Sequence, residues 1–146
     1  MQKKYFDEDG YVSIWLCNTK SEEMLRQYVE IDYEDEEDEI GFQMGHDFNI
    51  WWYDEDFFEA SHKKNAKGWD LLDGHSYMEN IKCILKEKYS HLLDKEYNGI
   101  IIFYNFKYDG NIAEKENNQY GYFKFVGSFE YQMWLYIEAR FVSQFI

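Results

Sequence analysis

A chain of 146 residues with 45% apolar and 21% aromatic residues can close one substantial core, which excludes both two large domains and an intrinsically disordered chain. Its 29 acids against 15 bases leave a formal charge of -14, and residues 1–60 carry that whole excess with 18 acids to 4 bases, while residues 61–146 balance at 11 of each. Nucleic acid and anionic membrane carry the same sign and are excluded as direct ligands, so a basic partner is the complement.

Met1–Gly10 is polar and lacks the apolar segment of a secretory signal, and no 18-residue apolar stretch follows, so the expected location is cytoplasmic. Proline is absent, the nine glycines are dispersed and no repeat divides the chain, so residues 1–146 read as a single domain. Tyr11 to Leu16 is β-branched and aromatic, a strand with Val12, Ile14 and Leu16 on one face and Trp15 on the other. Thr19-Lys20-Ser21-Glu22 has capping-box spacing, and Met24, Leu25, Tyr28 and Val29 recur at helical intervals, which predicts a helix over 20–30.

Six consecutive acids, Glu34 to Glu39, repel one another and offer nothing to bury, so they predict a solvated loop. The stripe Ile40, Met44, Phe48 predicts a short helix whose N-terminus the preceding carboxylates favour and which Asn49 ends. Ile50 to Tyr53 reads as a short strand, pairing Ile50 with Trp52 on one face and Trp51 with Tyr53 on the other; Asp54-Glu55-Asp56 then open a helix backed by Phe57, Phe58 and Ala60. Ser61 to Gly74, with Lys63, Lys64 and Lys67, reads as a loop. Ser76-Tyr77-Met78-Glu79 is a second capping box, and Tyr77, Ile81, Ile84, Leu85 and Leu92 mark one face of a helix over 77–89. Gly99–Phe106 and Tyr120–Tyr131 suggest an antiparallel pair of strands joined through Asp109-Gly110 and a polar loop, with a bulge at Gly127. Met133 to Phe145 satisfies both periods, and strand is favoured. The sum is an α+β fold, mainly antiparallel sheet packed against about three helices.

Chemical motifs are nearly absent. Cys17 and Cys83 have neither metal nor redox spacing and read as buried free thiols. His46, His62, His75 and His91 have no ligand spacing, so a zinc site would have to be assembled wholly by the fold. Asp32 to Glu39 is dense in oxygen ligands but lacks the glycine and spacing of a calcium loop, and no phosphate cradle or nucleophile elbow occurs. With 29 carboxylates, chance pairs carry no weight as acid–base catalysts. No catalytic residue, cofactor or metal is therefore expected. Trp15, Phe57 and Phe129 read as core, whereas Trp51 and Trp52, adjacent in a strand, cannot both enter one core.

Three stretches, Val12-Ser13-Ile14-Trp15-Leu16 with Ser21-Glu22-Glu23, Asp47-Phe48 through Tyr53-Asp54-Glu55-Asp56-Phe57 with Glu59-Ala60, and Phe125-Val126-Gly127-Ser128-Phe129-Glu130-Tyr131, resemble the immunity protein 22 family of bacterial polymorphic toxin systems. None is a catalytic motif. The resemblance implies an α+β, non-enzymatic protein that binds and neutralises a cognate toxin. If that toxin is a nuclease, its basic substrate groove suits an acidic inhibitor. The expected binding surface is Glu34, Asp35, Glu36, Glu37, Asp38 and Glu39 together with Trp52, Asp54, Glu55 and Asp56. The expected partner is a basic toxin protein, with no nucleic acid and no membrane, and the chain is expected to be a monomer or small homo-oligomer. A small carboxylate-using enzyme and an acidic nucleic-acid mimic are the alternatives from other classes.

Overall fold

Residues 12–17 are apolar at every position except Ser13, the composition of a strand covered on both faces. The structure, a computed structural model, describes residues 4–33 and 39–131. Its strands are β1 (Asp7–Thr19), β2 (Phe58–Lys67), β3 (Glu96–Phe106), β4 (Glu114–Asn117) and β5 (Gly121–Glu130), and its helices α1 (Glu22–Val29), α2 (Gln43–Phe48), α3 (Gly68–Leu72), α4 (Met78–Lys88) and α5 (Ser90–Leu93). The strands form one antiparallel sheet ordered β2-β3-β1-β5-β4, so β1 is central and the class is α+β.

Alternation along β1 divides the apolar side chains between two cores. Val12, Ile14 and Leu16 meet Leu71 and Leu72 of α3 and Ile81 and Leu85 of α4 on one face. Trp15 and Cys17 meet Leu25 and Tyr28 of α1 and Met44 and Phe48 of α2 on the other. Helices thus cover both faces of an antiparallel sheet, which explains why residues 12–17 in the middle of its central strand are apolar at every position but one. Trp15 is fully buried, ringed by Phe48, Phe103, Tyr108 and Phe125 at centroid distances of 4.9–5.8 Å. Ser13, equally buried, is satisfied completely: its hydroxyl donates to the Phe106 carbonyl at 2.8 Å, pairs with the Ser128 hydroxyl and accepts from the Tyr108 N–H at 3.0 Å. The bulge falls at Gly127, where β1 residues Ile14 and Trp15 face Gly127 and Phe125 and leave Val126 as the extra residue.

Several expectations are corrected. The first helix is capped by Ser21, whose hydroxyl accepts from Met24 N; Thr19 instead ends β1. The helix before Asn49 starts at Gln43, so the acids lie outside its first turn, while Ile40, Met44 and Phe48 are buried and Asn49 ends it in the left-handed region. Ile50 to Tyr53 is not a strand. Asp54 to Asp56 opens a single 3-10 turn, Glu55–Phe57, which leaves Phe57 47% exposed rather than in the core. The stretch expected as a loop, Ser61 to Gly74, completes β2 and forms α3, because β2 gains its ladder from β3 and needs no apolar alternation of its own. Ser76 caps nothing: it is drawn to Glu59, and α4 starts at Met78. Strands β3 and β5 are not partners, since β1 lies between them; β5 pairs with β4, whose four polar residues gave no strand signal. Cys17 is buried and free, whereas Cys83 is free but exposed. The strand favoured over 133–145 lies outside the described residues.

Candidate interaction surface

The described residues on either side of the acidic run are joined to each other. The Asp32 N–H donates to the Gly41 carbonyl at 2.7 Å, and a Cβ at Gly41 would stand 2.8 Å from the Asp32 carbonyl oxygen, so this approach requires glycine. Glu34, Asp35, Glu36, Glu37 and Asp38 lie outside the described residues; Glu39 is exposed. Tyr33, at the edge of that run, donates its hydroxyl to Glu55 Oε2 at 3.2 Å and also hydrogen-bonds the Trp52 side chain. Residues 19 and 22 positions apart are thereby joined: Tyr33, Trp52 and the turn Asp54–Asp56 are contiguous. The turn is held by Asp54 Oδ1, which accepts from Asp56 N at 3.0 Å, and it leaves Glu55 and Asp56 exposed.

Ionisation in this region is set first by burial and then by the neighbouring carboxylates. Partial burial, and then the Asp54 charge, push the Asp7 carboxyl above its usual value. Tyr33 is also raised, first by desolvation and then by the carboxylates of Glu55 and Asp54, against the hydrogen bond from Trp52 that favours its ionised form.

Where two alternating faces were expected for residues 50–53, Ile50 and Tyr53 are both buried, and Trp51 and Trp52 are both half-buried. Tyr53 stacks on Phe103 at 4.4 Å and donates its hydroxyl to the Val29 carbonyl, which fixes the segment across the second core. Trp51 packs against that core, while Trp52 lies beside Tyr33 at the edge of the acidic turn.

Two open grooves adjoin this surface. One of about 700 Å³ lies between the end of α1 and α2, among Glu30, Asp32, Tyr33, Phe42, His46 and Tyr120. Carboxylates beside aromatic rings suit a cationic side chain. The other, about 560 Å³, runs between α1 and β2 over a floor of Leu25, Val29, Phe58 and Ala60. Tyr33 was legible only as a neighbour of acids, and neither groove has a sequence signal, because their walls come from separate segments.

Glu59, Ser61 and His75 form a cluster that spacing also missed. His75 Nε2 is 2.9 Å from the Ser61 hydroxyl and His75 Nδ1 is 3.5 Å from Glu59 Oε1. That order of groups is the order of a nucleophilic triad, and the carboxylate also accepts from the Tyr104 hydroxyl and from the Ser76 N–H and hydroxyl. The assembly fastens the turn between α3 and α4 to β2. Burial raises the Glu59 carboxyl, and the hydrogen bonds from Tyr104 and Ser76 with the nearby His75 outweigh it, so the net displacement is below the usual value. Among the described residues, no three His, Cys, Asp or Glu side chains are grouped to hold a metal ion, and no helix is long and apolar enough to cross a membrane.

A family model described as Immunity protein 22 matches residues 12–132. No curated protein and no solved structure matches the chain.

Proposed function

The chain belongs to the immunity protein 22 family, whose general role is to neutralise a toxin, and from that premise we propose that it binds a basic toxin through its acidic, Trp52-bearing surface. The toxin is a nuclease whose substrate groove is basic, and it belongs to a bacterial polymorphic toxin system. The immunity protein acts in the cytoplasm, by occlusion and without a reaction of its own. The surface comprises Glu34, Asp35, Glu36, Glu37, Asp38 and Glu39 with Trp52, Asp54, Glu55 and Asp56.

The observation that supports this reading is the Tyr33–Glu55 hydrogen bond, which brings the residue that precedes the acidic run to the acidic turn beside a half-exposed indole. An aromatic anchor inside a charged rim is the anatomy of a protein interface, and the charges accelerate encounter with a partner of opposite sign. Co-expression with a toxin whose gene adjoins that of this chain tests it. Cells should survive only with the intact immunity protein, and the two proteins should co-purify in a salt-sensitive complex. Death despite co-expression, or no complex, refutes the reading.

A further inference from the structure

β2 is one of the two edge strands of the sheet. Its N–H and C=O groups on the side away from β3 have no strand partner among the described residues, and such an edge is a template for another strand. Only half of it is blunted. Between His62 and Ala66 the register breaks, Asn65 adopts φ 55°, and Lys63 and Lys64 stand exposed, all of which oppose pairing. Phe58 to His62 keeps a regular register against Phe103 to Gly99 and carries no lysine, proline or bulge.

That open half lies against the groove between β2 and α1. Strand alternation sends Phe58, Ala60 and His62 toward the face of α1, and all three line the groove together with Leu25, Val29 and Glu22. His62 Nε2 is buried there without a hydrogen-bond partner among the described residues, so a donor or acceptor supplied from outside would complete it. The edge begins where the acidic turn ends: Asp54 to Asp56 lead through the exposed Phe57 directly into β2.

Resting on the toxin-binding reading above, we infer that an extended segment of the toxin adds to the sheet along Phe58–His62. This segment sets alternate apolar side chains into the groove against α1 and a basic end against Asp54–Asp56. Backbone hydrogen bonds would supply affinity, and the groove and the acidic turn would supply choice of sequence and direction. The bulge and lysines at 63–65 stop the added strand after five residues of the edge.

Hydrogen exchange on the complex with a catalytically inactivated toxin domain tests the inference. Amides within 58–62 should slow by at least about tenfold on binding, since exchange follows the opening equilibrium of the hydrogen bonds formed. Ala60→Arg, which fills the groove floor with a charged chain, should weaken toxin binding by at least about tenfold, while Glu116→Arg on the opposite edge should leave it unchanged. A complex that forms with unaltered exchange at 58–62, or with full affinity for a folded Ala60→Arg protein, overturns the added strand and leaves toxin binding standing. No complex at all overturns both. Slowed exchange at 58–62 that rises with the protein's own concentration, without toxin, would assign the edge to a second copy and likewise overturn it.

Discussion

Truncating each of the two adjacent tryptophans should separate folding from binding. A fully buried tryptophan replaced by alanine costs about 3–5 kcal/mol, through lost transfer energy and the cavity left behind. Trp51 is half-buried but packs on the core that holds Ile50, Tyr53 and Phe103, so about half of that range applies, roughly 2 kcal/mol. For a chain of this size that corresponds to a Tm lowered by about 4–8 °C. Trp52 is half-buried at the edge, where its removal forfeits the hydrogen bond to Tyr33 and some contact area, for a loss of about 1 kcal/mol or less. The order should invert in binding: Trp52→Ala costs about 2 kcal/mol or more, roughly a thirtyfold rise in Kd, as an anchor in a charged rim should. Trp51→Ala should change toxin binding by less than about 0.5 kcal/mol. Thermal melts and calorimetric titration of both variants supply the four numbers. Equal stability losses of several kcal/mol would mean that the segment is buried on both sides, and unchanged binding by Trp52→Ala would remove it from the interface.

Reversing Glu36, Glu37 and Asp38 to lysine should slow association and flatten its dependence on salt with little change in Tm, because rim charges act on encounter and solvated charges carry little folding energy; stopped-flow rates across a salt series decide it, and an unaltered slope would reduce the run to a solubility feature. Ser13→Ala leaves the buried Tyr108 N–H and Phe106 carbonyl without their partner and should cost about 2–3 kcal/mol in denaturant melts, whereas a loss under about 0.5 kcal/mol would mean the strands close up around the gap. The lowered carboxyl of Glu59 adds stability that is complete above its unfolded value of 4.5 and is lost as pH falls through the lower folded value. Glu59→Gln should therefore be less stable than the parent at neutral pH, with the gap narrowing toward acid; a gap that is constant with pH in paired melts would show that the carboxylate's charge is not what matters.

The elements written in side-chain periodicity were legible. Val12, Ile14 and Leu16 announce a strand and Trp15 its second face, Leu25, Tyr28 and Val29 announce α1, Ile81 and Leu85 announce α4, and the immunity-family stretches lie within the residues that the family model matches. These signals are local, because the period at which side chains return to one face is fixed by the backbone of the element itself. Capping was less legible, since a hydroxyl can serve either a helix end or a distant acid: Ser21 took the first course and Ser76 the second, once Glu59 came within 3.0 Å of its N–H. The strand β2, the insertion of β1 between β3 and β5, and the meeting of Tyr33 with Glu55 were beyond any local pattern. An edge strand such as β2 is held by main-chain hydrogen bonds, which every residue but proline can make, and by half-covered faces that tolerate polar side chains. Its identity therefore depends on what β3 offers it across the sheet. The same holds for the meeting of Tyr33 with Glu55, whose charges are a property of composition but whose contact arises only when the two cores close and draw remote segments together.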